Sequence, residues 1–145
     1  MYKGCADWTL IEKTKDNPRL HIPVFGNGDI FSAEDVKKKK DYSNVDGVMI
    51  GRAAYDNPFM LKDIEPMFYD IKSQTNSKKE ILNLYLEYVE KKIDQGHNLS
   101  RMMKHLFGLS RGDKYAKSFR IKILEIIKNN SIKEHKKELE ELLVY

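Results

Sequence analysis

Two short apolar runs mark the most structured stretch in the first half of the chain. They cover residues 22–25 and 45–50, and each is closed by a glycine. Short, partly β-branched runs of this kind are typical of strands that are buried on both faces of a parallel sheet. Between them, Ser32 is placed to cap a helix over residues 33–40. The pattern therefore predicts a β-α-β unit with a right-handed crossover.

Apolar residues elsewhere recur at helical spacing. They predict helices over residues 7–15 and 59–69. Beyond the polar stretch 73–77, which we interpret as a domain boundary, the pattern stays helical and contains no strand signal. Ser77 and Glu80 form a capping box at the start of this half. Its first apolar stripe consists of Ile81, Tyr85, Tyr88, Val89 and Ile93. We therefore expect a small antiparallel helical bundle after the boundary.

Polar residues and glycines follow both predicted strands. Asn27, Gly28 and Asp29 come after the first strand, and Gly51 and Arg52 after the second. Ligands often bind where the carboxyl ends of parallel strands meet. Glycine lets the backbone approach a ligand, an arginine fork suits phosphate, and a helix starting here would direct its N–H groups at the same anion. The same residues fit two strand-ending turns and a surface arginine equally well.

Two conspicuous features are interpreted as structural. Trp8 lies on the apolar side of the first predicted helix, and we expect it to be a packing residue rather than a ligand contact. Four lysines occupy residues 37–40 at the end of the second predicted helix, where positive charge complements the helix dipole. We expect this lysine run to form a solvated surface.

The helical half carries a local excess of positive charge. Residues 97–128 contain eight lysines and arginines but only two acidic residues. The basic residues are Arg101, Lys104, Arg111, Lys114, Lys117, Arg120, Lys122 and Lys128. Those between 101 and 120 fall on two consecutive predicted helices, so one shared face can present them to RNA phosphates. A solvated helix surface remains the alternative interpretation.

The order of these motifs resembles the tRNA-dihydrouridine synthases, flavin enzymes that reduce particular uridines in tRNA. The segments GNGDI and DGVMIGRAAYDNP are similar to the last two strands of their barrel. The opening YKGCADW resembles the segment before that strand pair. MKHL at residues 103–106, a following glycine and the later pair at 119–120 resemble their C-terminal helical domain. The resemblance extends from the first residues to about Ile123.

The resemblance implies a fold with an α/β part and an all-α part. A complete (β/α)8 barrel takes roughly 250 residues, whereas this chain has 145. We therefore expect residues 1–72 to be the C-terminal portion of an FMN-binding (β/α)8 TIM barrel. Residues 77–145 would form a small antiparallel helical bundle that binds tRNA. The N-terminal half of the barrel would belong to a preceding part of the full protein.

The resemblance also implies the activity. The full enzyme would reduce uridine to 5,6-dihydrouridine in tRNA, using FMN and NAD(P)H. The implied FMN-binding residues are Asn27, Gly28, Asp29, Gly51 and Arg52. The implied RNA-binding residues are Arg101, Lys104, His105, Arg111, Lys114, Lys117 and Arg120. The family's acid is a cysteine in a motif that this chain lacks, and Cys5 stands outside it. We therefore assign no catalytic residue and expect the chain alone to be inactive.

Composition and the absence of certain motifs narrow the classes of protein to which this chain can belong. The net charge of +4 is compatible with RNA binding. The single cysteine excludes an intramolecular disulfide and fits a reducing cytoplasm. No apolar run predicts a membrane span, and no Asp or His spacing predicts a metal site. A G-x-G-x-x-G motif is absent, which disfavours a doubly wound dinucleotide fold.

Two alternatives remain open. The isolated chain could act as a non-catalytic RNA-binding module. It could also belong to another FMN-binding barrel oxidoreductase, such as a relative of dihydroorotate dehydrogenase. The MKHL helical half argues against this second alternative.

Overall fold

The computed structural model describes residues 4–69 and 77–143 and divides the chain into two compact units. The first, called the sheet unit, consists of Met1–Ala54 and Met60–Ser73. The second, called the helical unit, consists of Tyr55–Phe59 and Gln74–Tyr145. The described residues are mostly helical and include a small two-stranded parallel sheet.

The first part of the chain alternates helices with two strands. Its elements are α1 (Trp8–Lys15), β1 (Phe25–Asn27), α2 (Ala33–Ser43), β2 (Gly47–Met49), α3 (Arg52–Asp56), a 3-10 turn (Pro58–Met60) and α4 (Leu61–Phe68). The strands are parallel and pair Phe25 with Gly47 and Asn27 with Met49. The predicted β-α-β order is confirmed, although each strand is shorter than its apolar run.

The described residues cover one face of this sheet and leave side chains of the other face exposed. Gly26 is buried, and a Cβ added there would lie 2.4 Å from the Trp8 ring. On the opposite face Phe25 is 65% exposed and Met49 is 59% exposed. The prediction of strands buried on both faces is therefore wrong for this structure. The described core of the sheet unit includes Trp8 of α1 and Val36 of α2, and Phe25 and Met49 lie outside it.

Helix α2 begins as the sequence predicts. Ser32 accepts a hydrogen bond from the Asp35 amide at 3.1 Å, which caps the first turn. The helix continues beyond its predicted end to Ser43. Asn44 then terminates it in the left-handed conformation, with φ 49°, and donates its amide to the Lys40 carbonyl.

The lysine run at the end of α2 is only partly solvated. Lys37 and Lys38 are exposed, as expected. The Nζ atom of Lys39 lies 5.0 Å from the centre of the Trp8 ring, and Lys40 donates to the Met67 carbonyl oxygen at 2.9 Å. The prediction of a fully solvated run is therefore wrong for Lys39 and Lys40. Their long apolar stems reach neighbouring elements while their ammonium groups find partners.

Asp46 ties the start of β2 to the segment before β1. Its carboxylate accepts hydrogen bonds from the Lys15 ammonium at 2.6 Å and from the Val24 amide at 2.7 Å. These two donors, Lys15 first, lower the pKa of the Asp46 carboxyl below its usual value. The carboxylate form is therefore favoured in the folded sheet unit.

We expect Asp46→Asn to flatten the acid dependence of stability. Because the folded-state pKa lies below the unfolded value of about 3.9, Asp46 contributes stability at higher pH. This contribution is lost as the pH falls through the folded-state pKa. Urea unfolding of both proteins between about pH 6 and pH 2 measures the difference. Parallel pH profiles for Asp46→Asn and the unsubstituted chain would contradict the expectation.

The helical unit packs its helices around one core. Its helices are α5 (Lys78–Ile93), α6 (Leu99–Met103), a 3-10 helix (Lys104–Gly108), α7 (Ala116–Asn129) and α8 (Lys136–Leu142). The predicted capping box is confirmed, because Ser77 and Glu80 bond to each other's amides. The largest buried side chains include Phe119, Met103 and Leu86. Among the described helices, none is long and apolar enough to cross a membrane.

The buried stripe of α5 differs from the predicted one. Leu82, Leu86 and Val89 are buried, whereas Tyr88 is 49% exposed. Ile81, Tyr85 and Ile93 lie at the edge of the core and are partly buried. Burial raises the pKa of the Tyr85 hydroxyl, which donates a hydrogen bond to the Met102 carbonyl oxygen at 3.0 Å. The prediction is therefore wrong for Tyr88 and right for Val89.

Candidate functional site

Two polar loops leave the same edge of the small parallel sheet. Asn27 and Met49 are paired at the carboxyl ends of β1 and β2. Gly28 therefore follows directly after one strand end, and Gly51 follows two residues after the other. The register thus brings the two predicted ligand-binding segments to one edge of the sheet unit, where parallel sheets commonly bind ligands.

The loop after β1 has a conformation that requires glycine. Gly28 has φ 116°, and a Cβ added there would lie 2.5 Å from the Ala6 Cβ. Asp29 follows with φ 52°, which is the left-handed region that aspartate tolerates better than most residues. The loop therefore turns sharply at the end of the strand.

The segment before α1 holds this loop in place. Trp8 Nε1 donates to the Gly28 carbonyl oxygen at 3.1 Å. The Ala6 amide donates to Asp29 Oδ2 at 2.6 Å. One oxygen of the Asp29 carboxylate thus accepts a hydrogen bond from the chain itself, and this bond shapes the loop. Trp8 is buried, as predicted, but its bond to the loop was not foreseen.

The segment after β2 is open. Gly51 is exposed, and apart from its chain neighbours no described residue has an atom within 4 Å of a Cβ added there. Helix α3 begins at Arg52, whose side chain is exposed. The Arg52 guanidinium has no ion pair or hydrogen bond within residues 4–69 and 77–143. A cation at a helix start is unfavourable, so an anion bound there would relieve the repulsion and gain a charge-assisted bond.

The sheet face beside these loops is apolar and open. Side chains alternate along a strand, so Phe25 and Asn27 point to the same face as Met49. All three residues are exposed. A solvent-facing apolar surface next to polar loops is typical of a surface that binds a ligand or another part of a protein.

The seven predicted RNA-binding residues are all exposed. They are Arg101 in α6, Lys104 and His105 in the 3-10 helix, Arg111 and Lys114 in the following turn, and Lys117 and Arg120 in α7. The prediction that they lie on two consecutive helices is wrong. Helix α6 has only five residues, and a 3-10 helix and a turn separate it from α7.

The six lysines and arginines of this set differ in the contacts of their charged ends. Lys114 lies 5.3 Å from the Tyr115 ring centre, and Arg120 Nε donates to the Phe107 carbonyl oxygen at 3.3 Å. Arg101, Lys104 and Lys117 form no side-chain ion pair with any described residue. Their exposed charges suit phosphate binding.

His105 lies on the surface of the helical unit. Its ring meets the Tyr55 ring edge to face, with a centre distance of 5.7 Å. Tyr55 belongs to the helical unit, so this contact is internal to that unit. His105 therefore combines a packing contact with an accessible surface position.

Comparison of the sequence with known proteins shows similarity to one enzyme family. A family model described as "Dihydrouridine synthase (Dus)" matches residues 1–143. The tRNA-dihydrouridine(20/20a) synthase of Vibrio cholerae is 32% identical over 111 residues, which are 77% of this chain and 33% of that protein. The protein of the same name from Synechocystis sp. is 36% identical over 106 residues, 73% of this chain and 30% of that protein. The chain thus spans about a third of the length of these curated relatives.

Proposed function

Because the chain belongs to the dihydrouridine synthase family, we propose that it is the C-terminal part of an enzyme that reduces uridine to 5,6-dihydrouridine in tRNA. The observation that carries the proposal is Arg52 at the start of α3, which has no ion pair with any residue that the structure describes. It follows an open glycine at the strand edge where the Gly28 loop also lies. This arrangement suits a phosphate group, and FMN carries one.

The residues at the sheet edge fit the phosphate of FMN. Gly51 leaves room for the backbone to approach an anion, Gly28 permits the sharp turn that keeps its loop at the same edge, and Arg52 supplies a fork of donors. Asn27 presents an amide on the open sheet face, and Asp29 holds the loop through Ala6. When bound, FMN would supply hydride chemistry to the uracil ring, with NAD(P)H as the source of the electrons.

In this proposal the two units have different roles. Residues 1–72 contribute the last strands of a TIM barrel, whose remaining strands would cover Phe25 and Met49. Residues 77–145 bind the tRNA through exposed cations. The proposed RNA contacts are Arg101, Lys104, His105, Arg111, Lys114, Lys117 and Arg120. Reaction at a base in folded RNA requires the base to leave its stack, so the RNA must be held firmly by its backbone.

This chain would hold substrates rather than perform the chemistry by itself. We assign it no catalytic residue, because Cys5 is exposed and stands outside the family's cysteine motif. The isolated chain is therefore proposed to bind tRNA without modifying it. The complete enzyme would work in the cytoplasm, where its tRNA substrate is found.

The proposal is tested by joining the chain to the N-terminal barrel portion of the complete protein. We expect this protein, supplied with FMN, NADPH and unmodified tRNA, to form dihydrouridine, which mass spectrometry of digested tRNA detects. The 145-residue chain alone serves as the control and should form none. If the complete protein binds tRNA but leaves its uridines unchanged, the alternative of a non-catalytic RNA-binding module is favoured.

A further inference from the structure

Lys78 and Asp113 form a largely buried ion pair in the helical unit. Lys78 Nζ lies 2.6 Å from Asp113 Oδ1, and the two side chains are only 13% and 3% exposed. They are 35 positions apart in the sequence and join the start of α5 to the turn before α7. Neither residue is among those proposed to contact FMN or RNA.

Stability alone does not explain this pair. Removing two charges from water costs free energy that their attraction often fails to recover. Asp113 Oδ2 is buried and has no hydrogen-bond partner in the described part of the chain. Lys78 also occupies the first turn of α5, where the helix dipole disfavours a cation. A role in positioning is therefore the better explanation.

The pair holds the backbone of one turn, residues 108–115, which we call the 108–115 turn. Lys78 Nζ also donates to the Arg111 carbonyl oxygen at 3.3 Å. Within the turn the Arg111 amide donates to Gly108 and the Asp113 amide donates to Ser110. A single ammonium group thus binds both a side chain and a main-chain oxygen of the same turn.

The 108–115 turn presents two exposed cations, Arg111 and Lys114. Arg111 Nη1 lies 3.6 Å from Asp56 Oδ2, and both side chains of this pair are exposed. Such exposed pairs are weak, so Arg111 can exchange its partner for a phosphate at little cost. The ion pair therefore holds the turn that carries two side chains able to contact RNA.

We infer that the Lys78–Asp113 pair positions Arg111 and Lys114 for contact with RNA phosphates. This inference rests on the proposed function, in which the helical unit binds tRNA. A turn that is ordered before binding loses less conformational freedom when RNA binds. The pair therefore increases affinity through the turn without touching the RNA.

A matched pair of glycines tests the inference. Gly112 in the turn and Gly96 before α6 have φ values of 83° and 86°. Apart from chain neighbours, no residue that the structure describes has an atom within 4 Å of a Cβ added at either position. Gly112→Ala and Gly96→Ala therefore introduce the same backbone strain at two places in one unit. We expect Gly112→Ala to weaken binding of unfractionated tRNA several-fold and Gly96→Ala to leave it unchanged.

A second variant removes the buried pair itself. Lys78→Met with Asp113→Asn eliminates both charges together, so neither remains buried without a partner. Its control is Lys122→Met with Glu138→Gln, which removes another 2.6 Å ion pair of the same unit. Thermal unfolding establishes that each variant is folded. We expect a weaker salt dependence of tRNA affinity for the first double variant and not for the second.

The reference is Arg111→Ala with Lys114→Ala, which removes the proposed phosphate-binding side chains directly. Leaving two phosphates without a protein cation lowers the log–log salt slope by up to about 1.4–1.8. The inference predicts that Gly112→Ala approaches this reference and weakens binding no further when combined with it. A normal slope for Gly112→Ala, or an equal effect of Gly96→Ala, would overturn the inference even if the buried-pair variant fails to fold.

The outcomes separate this inference from the proposed function. If the reference variant weakens tRNA binding and Gly112→Ala does not, the cations contact RNA without needing the buried pair. If the reference variant binds tRNA normally, Arg111 and Lys114 are not phosphate contacts and the inference fails. If the unsubstituted chain has no salt-dependent affinity for tRNA, the proposed function of the helical unit fails.

Discussion

Replacing Arg52 by alanine should weaken FMN binding by about ten- to hundredfold in the complete enzyme. A hydrogen bond to a charged group contributes about 1.5–3 kcal/mol, and each 1.4 kcal/mol corresponds to about a factor of ten in affinity. Arg52 follows Gly51 at the start of α3, is exposed, and has no ion pair in the described structure. Its guanidinium is therefore available to a phosphate group.

Flavin fluorescence titration measures this change. Arg19→Ala is the matched control, because Arg19 is also an exposed arginine of the sheet unit but lies before β1 rather than after β2. Its substitution should leave the affinity for FMN unchanged. An unaltered affinity in Arg52→Ala would place the flavin phosphate elsewhere and make Arg52 an ordinary surface residue.

Removing three exposed cations of the helical unit should weaken tRNA binding similarly across different tRNAs. The variant replaces Lys104, Arg111 and Lys117 by alanine. Phosphate contacts position a folded RNA without reading its bases, so the effect should not depend on tRNA identity. The log–log salt slope should fall by about 0.7–0.9 for each phosphate that the variant no longer neutralises. FMN affinity should stay unchanged, because none of the three residues belongs to the sheet unit.

A control with the same change in net charge is available in the helical unit. Lys91, Lys133 and Lys137 are replaced together by alanine, and none of them belongs to the proposed RNA surface. Binding to several purified tRNAs is then measured against salt concentration for both triple variants. An unaltered slope in the first variant would mean that its side chains only face solvent. Equal effects of both variants would indicate a general influence of net charge rather than a defined RNA surface.

Local hydrogen bonds were the most predictable part of this fold. The Ser32 cap and the Ser77–Glu80 capping box each join residues three positions apart. Their geometry depends on a single helix turn, so the sequence pattern is sufficient to find them. The order of strand, helix and strand was predictable for a similar reason, since short apolar runs closed by glycine alternate with a capped polar segment.

Contacts between distant residues could not be predicted in this way. Trp8 binds the Gly28 carbonyl across 20 positions, and the Ala6 amide binds Asp29 across 23. Such pairs depend on how α1 packs beside the sheet, which no local pattern encodes. The same limit applies to the Lys78–Asp113 pair. The resemblance implied the residues of the candidate site, but the structure was needed to show that Asp29 also holds the loop.

The local sequence pattern also did not predict which face of α5 is buried. On α5, the stripe that contains Ile81 and Tyr85 and the stripe that contains Leu82 and Leu86 both recur at helical spacing. Only packing against the rest of the core decides that the second stripe is buried. The local pattern also did not predict the 3-10 helix at Lys104–Gly108, which carries two of the seven candidate RNA-binding residues.

The position of Trp8 has a practical consequence for experiments on this chain. It is the single tryptophan of the sequence, and its buried indole donates to the Gly28 loop. Selective excitation of tryptophan therefore gives an optical signal from the sheet unit alone, close to the proposed flavin phosphate. A change in its emission during denaturation reports loss of structure around Trp8, while far-ultraviolet circular dichroism follows mainly the helices. The chain thus carries an intrinsic probe that separates local opening from global unfolding.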